Sequence, residues 1–142
     1  MKTLCSIAVV ALVLLLVVPG AQAARMPHEH DGNALLEVCR DSIRLDDAGS
    51  RGSAQVIYNS GYCEGLVDGL LDMHAAYTEV SLLPSPFFCL PKEGIRVQQG
   101  VRVVVHYLDT HPERLHLKQR NLLIEAFRNA FPCAPAASRP QR

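Results

Sequence analysis

From Ser53 to Tyr77 the chain reads SAQVIYNSGYCEGLVDGLLDMHAAY. No proline interrupts it, and Ser53 is a residue type that caps helix starts. The stretch predicts one long helix. At ~100° per residue, Tyr62, Cys63, Leu66, Val67, Leu70, Leu71, Met73, His74 and Tyr77 share one half of that helix. Glu64, Asp68, Asp72 and the glycines Gly61, Gly65 and Gly69 share the other. Half is core; the other half is acid and glycine. Three glycines inside one helix cost up to ~3 kcal/mol relative to alanine. Glycine at i, i+4 and i+8 lets another backbone come close: another helix of this chain, a second copy or a foreign partner. The carboxylates at Glu64, Asp68 and Asp72 repel each other by a few tenths of a kcal/mol per pair. They form either a solvated face or a docking surface.

Upstream lies a turn-rich loop, Asp46-Asp47-Ala48-Gly49-Ser50-Arg51-Gly52. Before it, a helix from about Asn33 places Leu35, Leu36, Cys39 and Ile43 on one face. Residues 24–32 are polar and read as a flexible arm. Downstream, Thr78 to Phe88 holds Leu82-Leu83-Pro84-Ser85-Pro86-Phe87-Phe88. Two prolines make this a loop, yet it is apolar. It either folds onto the core beside Cys89 or stands exposed as a contact site, which makes Leu82, Leu83, Ser85 and Phe87 candidate partner-binding residues.

A third helix is expected from about Lys92 to Asp109, burying Val97, Val101, Val104, Val105 and Leu108. The β-branched run from Val101 to Tyr107 makes a strand the competing reading. Thr110-His111-Pro112-Glu113 fits a capping box that opens a fourth helix ending at Phe131. Its buried side would use Leu115, Leu122, Leu123, Ala126, Phe127 and Ala130. Residues 134–142 are rich in Pro and Ala and read as a disordered tail.

The N-terminus has a different purpose. Lys2 precedes an apolar run from Ile7 to Val18, then Pro19-Gly20 and the small-residue site Ala21-Gln22-Ala23. This pattern is a secretory signal cut after Ala23. Twelve apolar residues span only ~18 Å as a helix, short of the ~30 Å hydrocarbon core. No later run is longer, so no membrane contact is expected after cleavage.

Five cysteines become four when Cys5 leaves with the signal. Cys39, Cys63, Cys89 and Cys133 then make an even set in an exported small domain, which reads as two disulfides rather than zinc ligands; no C-x-x-C pair occurs. The short link between helices three and four makes them antiparallel neighbours. Each counts to roughly 27–30 Å, so the end of helix four returns to the start of helix three. That pairs Cys89 with Cys133 and leaves Cys39 for Cys63.

Lys plus Arg number 14 and Asp plus Glu number 14, a balance that argues against a nucleic-acid binder. No glycine-rich phosphate loop is present. Without Trp, and with four Tyr and four Phe, the chain is poorly equipped to stack bases or sugars. His106, His111 and His116 would point ~140° apart on one helix and cannot share a metal. His28 and His30 sit on the expected arm and could hold a metal only loosely, because a mobile arm supplies too few ligands. No cofactor is indicated. With all four cysteines bridged, no thiolate nucleophile remains, and G-x-S-x-G, H-E-x-x-H and S-x-x-K motifs are absent.

Four fragments, taken in order, resemble one family: Cys63-Glu64-Gly65-Leu66-Val67-Asp68-Gly69, Phe88-Cys89-Leu90-Pro91, the run Tyr107 to His116, and Phe131-Pro132-Cys133. Together they resemble the Rap/Tai immunity proteins of type VI secretion systems, over roughly residues 33–133. The resemblance implies a small exported helical protein, typically a homodimer. Such a protein binds and blocks a peptidoglycan amidase in the periplasm and has no catalysis of its own. The matching residues are mainly scaffold. The reading is therefore an all-α, compact bundle of four main helices with two intrachain disulfides. Two rivals fit the residues: a periplasmic stress chaperone that exposes apolar surface in acid, and a small exported hydrolase that uses carboxylates.

Overall fold

The computed structural model describes residues 30–80 and 86–133. The stretches expected to be the signal, most of the arm and the tail, together with Leu82, Leu83 and Ser85, lie outside the described residues. The described chain is all-α, four helices packed together: α1 Gly32–Asp47, α2 Ala54–Glu79, α3 Val97–Thr110 and α4 Gln119–Ala130, with a short 3-10 turn at Pro112–Arg114. The run from Val101 to Tyr107 is helical, with Val101, Val104, Val105 and Leu108 on one buried stripe of period 3.6.

α1 starts one residue earlier than the sequence suggests. The Asp31 side chain caps it, accepting from the Ala34 amide at 3.0 Å. Residues 30–32, at the end of the expected arm, are tied down. The Gly32 amide donates to the Leu115 and Leu117 carbonyls and the Gln119 amide to the His30 carbonyl, so the backbones at Asp31 and Lys118 form a single antiparallel β-bridge. A side chain at Gly32 would have its Cβ 2.8 Å from the Leu115 backbone. At its far end α1 closes in a left-handed turn at Gly49 and Ser50. The Ser50 amide reaches the Leu45 carbonyl and the Gly49 amide the Asp46 carbonyl.

Ser53 caps α2, accepting from the Val56 amide at 3.3 Å. The buried strip of α2 is narrower than half the helix: Asn59, Ser60, Cys63 and Val67. Met73, expected in the core, is 51% exposed.

α3 begins at Val97, later than Lys92. Gly94 holds a left-handed φ of +69° in a turn closed onto the Pro91 carbonyl, which no helix can pass through. The expected capping box does not form. The Thr110 hydroxyl turns back to the His106 and Tyr107 carbonyls at 2.8 and 3.1 Å, closing α3 instead of opening α4. α4 therefore starts at Gln119, and Ala130 is exposed. Both helices are shorter than expected, near 18–21 Å, yet the segment after α4 still returns to the one before α3, where the Cys89 amide donates to the Phe131 carbonyl at 2.9 Å.

The core joins Leu35, Val38 and Cys39 of α1 to Cys63 and Val67 of α2, Val101, Val104 and Leu108 of α3, and Leu122 and Phe127 of α4. α1 packs most extensively on α2, then on α3. Gly100 lets α3 approach closely: a Cβ there would lie 2.6 Å from Val67 Cγ1 and 3.1 Å from Phe127 Cζ. Disulfides join Cys39 to Cys63 and Cys89 to Cys133.

Candidate partner-binding surfaces

The three carboxylates of α2 do not act together. Asp68 and Asp72 are exposed, whereas Glu64 turns inward. Its Oε1 accepts from Ser60 Oγ at 2.7 Å, Ser42 Oγ at 2.9 Å and Gln98 Nε2 at 2.9 Å. One oxygen thus ties α2 to α1 and α3. Burial raises the Glu64 pKa, but the three hydrogen bonds outweigh it and hold the group below its ordinary value. Glu64 is ionised and structural, so the strip reduces to Asp68 and Asp72.

The glycines beside it face outward. Gly61, Gly65 and Gly69 are exposed, and a Cβ built on any of them meets nothing within 4 Å. Among the described residues, no other helix of the chain packs on the ladder. The same side of α2 carries Ile57, 52% exposed.

The apolar loop is anchored at its C-terminal end. Phe88 is wholly buried, stacked on His74 at 4.0 Å between ring centroids and tilted against Phe127 at 5.0 Å. Its neighbour Phe87 is 48% exposed. One phenylalanine fixes the loop to the core and the next is presented to solvent. Burial lowers the His74 pKa, so the ring stacks in its neutral form.

The remaining candidates are dispersed. His106 is exposed. His111 stacks on Tyr107 at 4.2 Å. His30 Nδ1 lies 3.2 Å from the Tyr62 hydroxyl. Among the described residues no three His, Cys, Asp or Glu are grouped to hold a metal. Sequence reasoning missed two polar networks. Buried Asp41 accepts from Asn59 at 2.6 Å and pairs with Arg44. The Tyr107 hydroxyl donates to Glu125 at 3.1 Å while Arg114 binds both. Asp41–Arg44 has helical spacing and was open to notice; the other partners are far apart in sequence.

The family model of the Rap1a immunity proteins matches residues 31–133, from the Asp31 cap to the last bridged cysteine. The chain belongs to this family. Comparison with curated proteins and with solved structures yields no match. Membership of the Rap1a immunity proteins makes the chain non-enzymatic, so the carboxylate hydrolase reading falls. That agrees with Glu64 being occupied by three donors from its own fold. Two disulfides and the Rap1a family both fit an exported protein.

Proposed function

We propose that the protein protects its cell in the periplasm, after signal cleavage behind Ala23, by binding a type VI secreted peptidoglycan amidase and covering its active site. The single observation that carries this reading is the match to the Rap1a immunity proteins over residues 31–133, a stretch that takes in all four helices and both disulfides. The inhibitory surface is the loop carrying Leu82, Leu83, Ser85 and Phe87, with Asp68 and Asp72 as an acidic contribution. Support for the loop comes from the half-exposed Phe87 next to the buried anchor Phe88. Large aromatic side chains on a rigid base are typical binding anchors. The protein works as a homodimer.

Capture from secreted and periplasmic extracts of the source organism, with the oxidised protein as bait, tests the reading. One dominant peptidoglycan amidase, retained at neutral pH and inactive in the complex, is expected. Retention of no cell-wall hydrolase overturns it, and many unrelated proteins held only in acid would mean a chaperone. Changing Leu83 and Phe87 together to Ser weakens the complex ~30-fold or more if the loop is an anchor, with the melting temperature unchanged. Light scattering is expected to give a mass of two chains; a mass of one chain overturns the homodimer.

A further inference from the structure

α2 extends further than the helices it packs on. Its 26 residues run to about 39 Å, against about 24 Å for the 16 residues of α1. Its fully buried residues end at Val67, and from Asp68 to Val80 every residue is exposed or half-buried. Met73 and the capping Val80, two turns apart and so on one side, are both more than half exposed. The stack of Phe88 on His74 brings Phe87 to the same end of α2. Among the described residues, the large apolar side chains most open to solvent are Met73, Val80, Phe87 and Ile57. All but Ile57 belong to this end, and grouped exposed apolar surface marks a contact site.

Charge decides what can cover it. Between Arg51 and Lys92 the sequence has no Lys or Arg. Its carboxylates there are Glu64, which its own fold occupies, and the exposed Asp68, Asp72 and Glu79. None of the ion pairs among the described residues includes these three. A second copy meeting this face would bring three carboxylates from each side together, and like charges across a contact repel. An anionic membrane surface is disfavoured for the same reason. An apolar surface edged with Lys or Arg suits both features. It buries the apolar side chains at the centre and pairs the carboxylates at the rim, where interfaces keep their charges.

We infer that the end of α2, from Asp68 to Val80, docks together with Phe87 on a protein partner whose contact surface is apolar at its centre and edged with Lys or Arg. The inference rests on the reading of the chain as an inhibitor of another protein. It adds Met73, Val80 and Glu79 to the inhibitory surface and gives the opposing surface a charge. The apolar side chains keep the complex together, and the carboxylates speed the encounter.

The first test needs no partner. Octyltrimethylammonium and octyl sulfate, an apolar cation and an apolar anion of equal chain length, are titrated below their micelle-forming concentrations against the intact, oxidised, isotope-labelled protein. Saturable amide shifts at Asp72, Met73, Tyr77, Val80 and Phe87, given by the cation at lower concentration than by the anion, are expected. No saturable shift at these residues, or an equal response to the anion, overturns the inference. Asp68→Asn, Asp72→Asn and Glu79→Gln together are expected to abolish the preference for the cation; its survival overturns the inference too. With the captured amidase, the same triple variant is expected to slow association ~10-fold or more at low salt, with the difference shrinking as salt is added. A matched set on other exposed acids, Glu37→Gln, Glu93→Gln and Glu113→Gln, removes the same charge elsewhere and leaves the rate nearly unchanged. Equal slowing by both sets would reduce the effect to net charge and overturn the docking face. Met73→Ser with Val80→Ser is expected to shorten the lifetime of the complex ~10-fold with the melting temperature unchanged; an unchanged lifetime overturns the apolar part. Failure of the wild type to bind any amidase counts against the proposed function, and the titration with the two ions still decides the surface.

Discussion

The two disulfides differ sharply in burial. Cys39 and Cys63 are both fully buried and join α1 to α2 inside the core. Cys89 is exposed, and its bridge to Cys133 clasps two non-helical segments, helped by one hydrogen bond from the Cys89 amide to the Phe131 carbonyl at 2.9 Å. The first bridge is part of the packing. The second ties together two segments that Phe88 and Phe131 already seat on the core, beside Phe87. A bridge inside the core is shielded from attack; a bridge at the surface is not.

The sharpest test of that contrast is kinetic. A small dithiol should reduce Cys89–Cys133 in the folded protein on the order of 100-fold faster than Cys39–Cys63, which opens only when the core does. Timed alkylation and peptide mapping read this directly. Equal rates would mean that the two bridges open in one cooperative event.

Stability gives the next largest effect. In the chain-entropy model the bridges are worth roughly 3.5 and 4 kcal/mol, with the exposed one ahead because it closes the longer loop, 44 residues against 24. Packing reverses the order, because removing two buried sulfurs also leaves a cavity of about 1–2 kcal/mol. In urea denaturation, the double change of Cys39 and Cys63 to Ala is expected to cost ~5 kcal/mol, and that of Cys89 and Cys133 ~3–4. The opposite ranking would show that loop closure outweighs packing here.

A smaller contrast sits in the glycines. Gly100→Ala forces a methyl against Val67 and Phe127 and is expected to cost ~1–3 kcal/mol. Gly65→Ala adds a methyl in open space and gains ~0.5–1 kcal/mol from helix propensity. Thermal melts of the two variants should move in opposite directions.

The smallest effect follows pH and again separates the two regions. His74 has a lowered pKa in the fold, so the unfolded chain takes up its proton first. Its contribution is complete above the ordinary histidine pKa, ~6.5, and is lost as pH falls below it. Glu64, also lowered, contributes above the ordinary carboxylate range and loses its share only as pH falls through and below ~4.3. Mild acid should therefore loosen the Phe88 end first and the Glu64 junction later. Hydrogen exchange at pH 7, 5.5 and 4 checks the order; simultaneous loosening would dissolve the distinction. His74→Phe should remove the first step.

The helices, their number and the cysteine pairs were open to reading because they depend on periodicity, caps and chain length. Ser53 and the buried valines of α3 behave as their spacing suggests. Boundaries were harder. Thr110 can cap the helix behind it or the one ahead, and only the tertiary position of Tyr107 and His111 decides. Gly94 reads as tolerated until its positive φ is known. Glu64 was the clearest misreading: its helical phase puts it with Asp68 and Asp72, but Ser42 and Gln98, 22 and 34 residues away, draw its carboxylate inward. No local pattern carries that information.

The first cysteine of the described domain pairs with the second, and the third with the fourth; the two closed loops neither overlap nor nest. Of the three ways to join four cysteines, this is the one reached when each newly arrived thiol bonds to the last one still free. A chain oxidised vectorially, as it emerges N-terminus first, thus falls into the native arrangement by default. It has no need of a disulfide-shuffling catalyst to correct it.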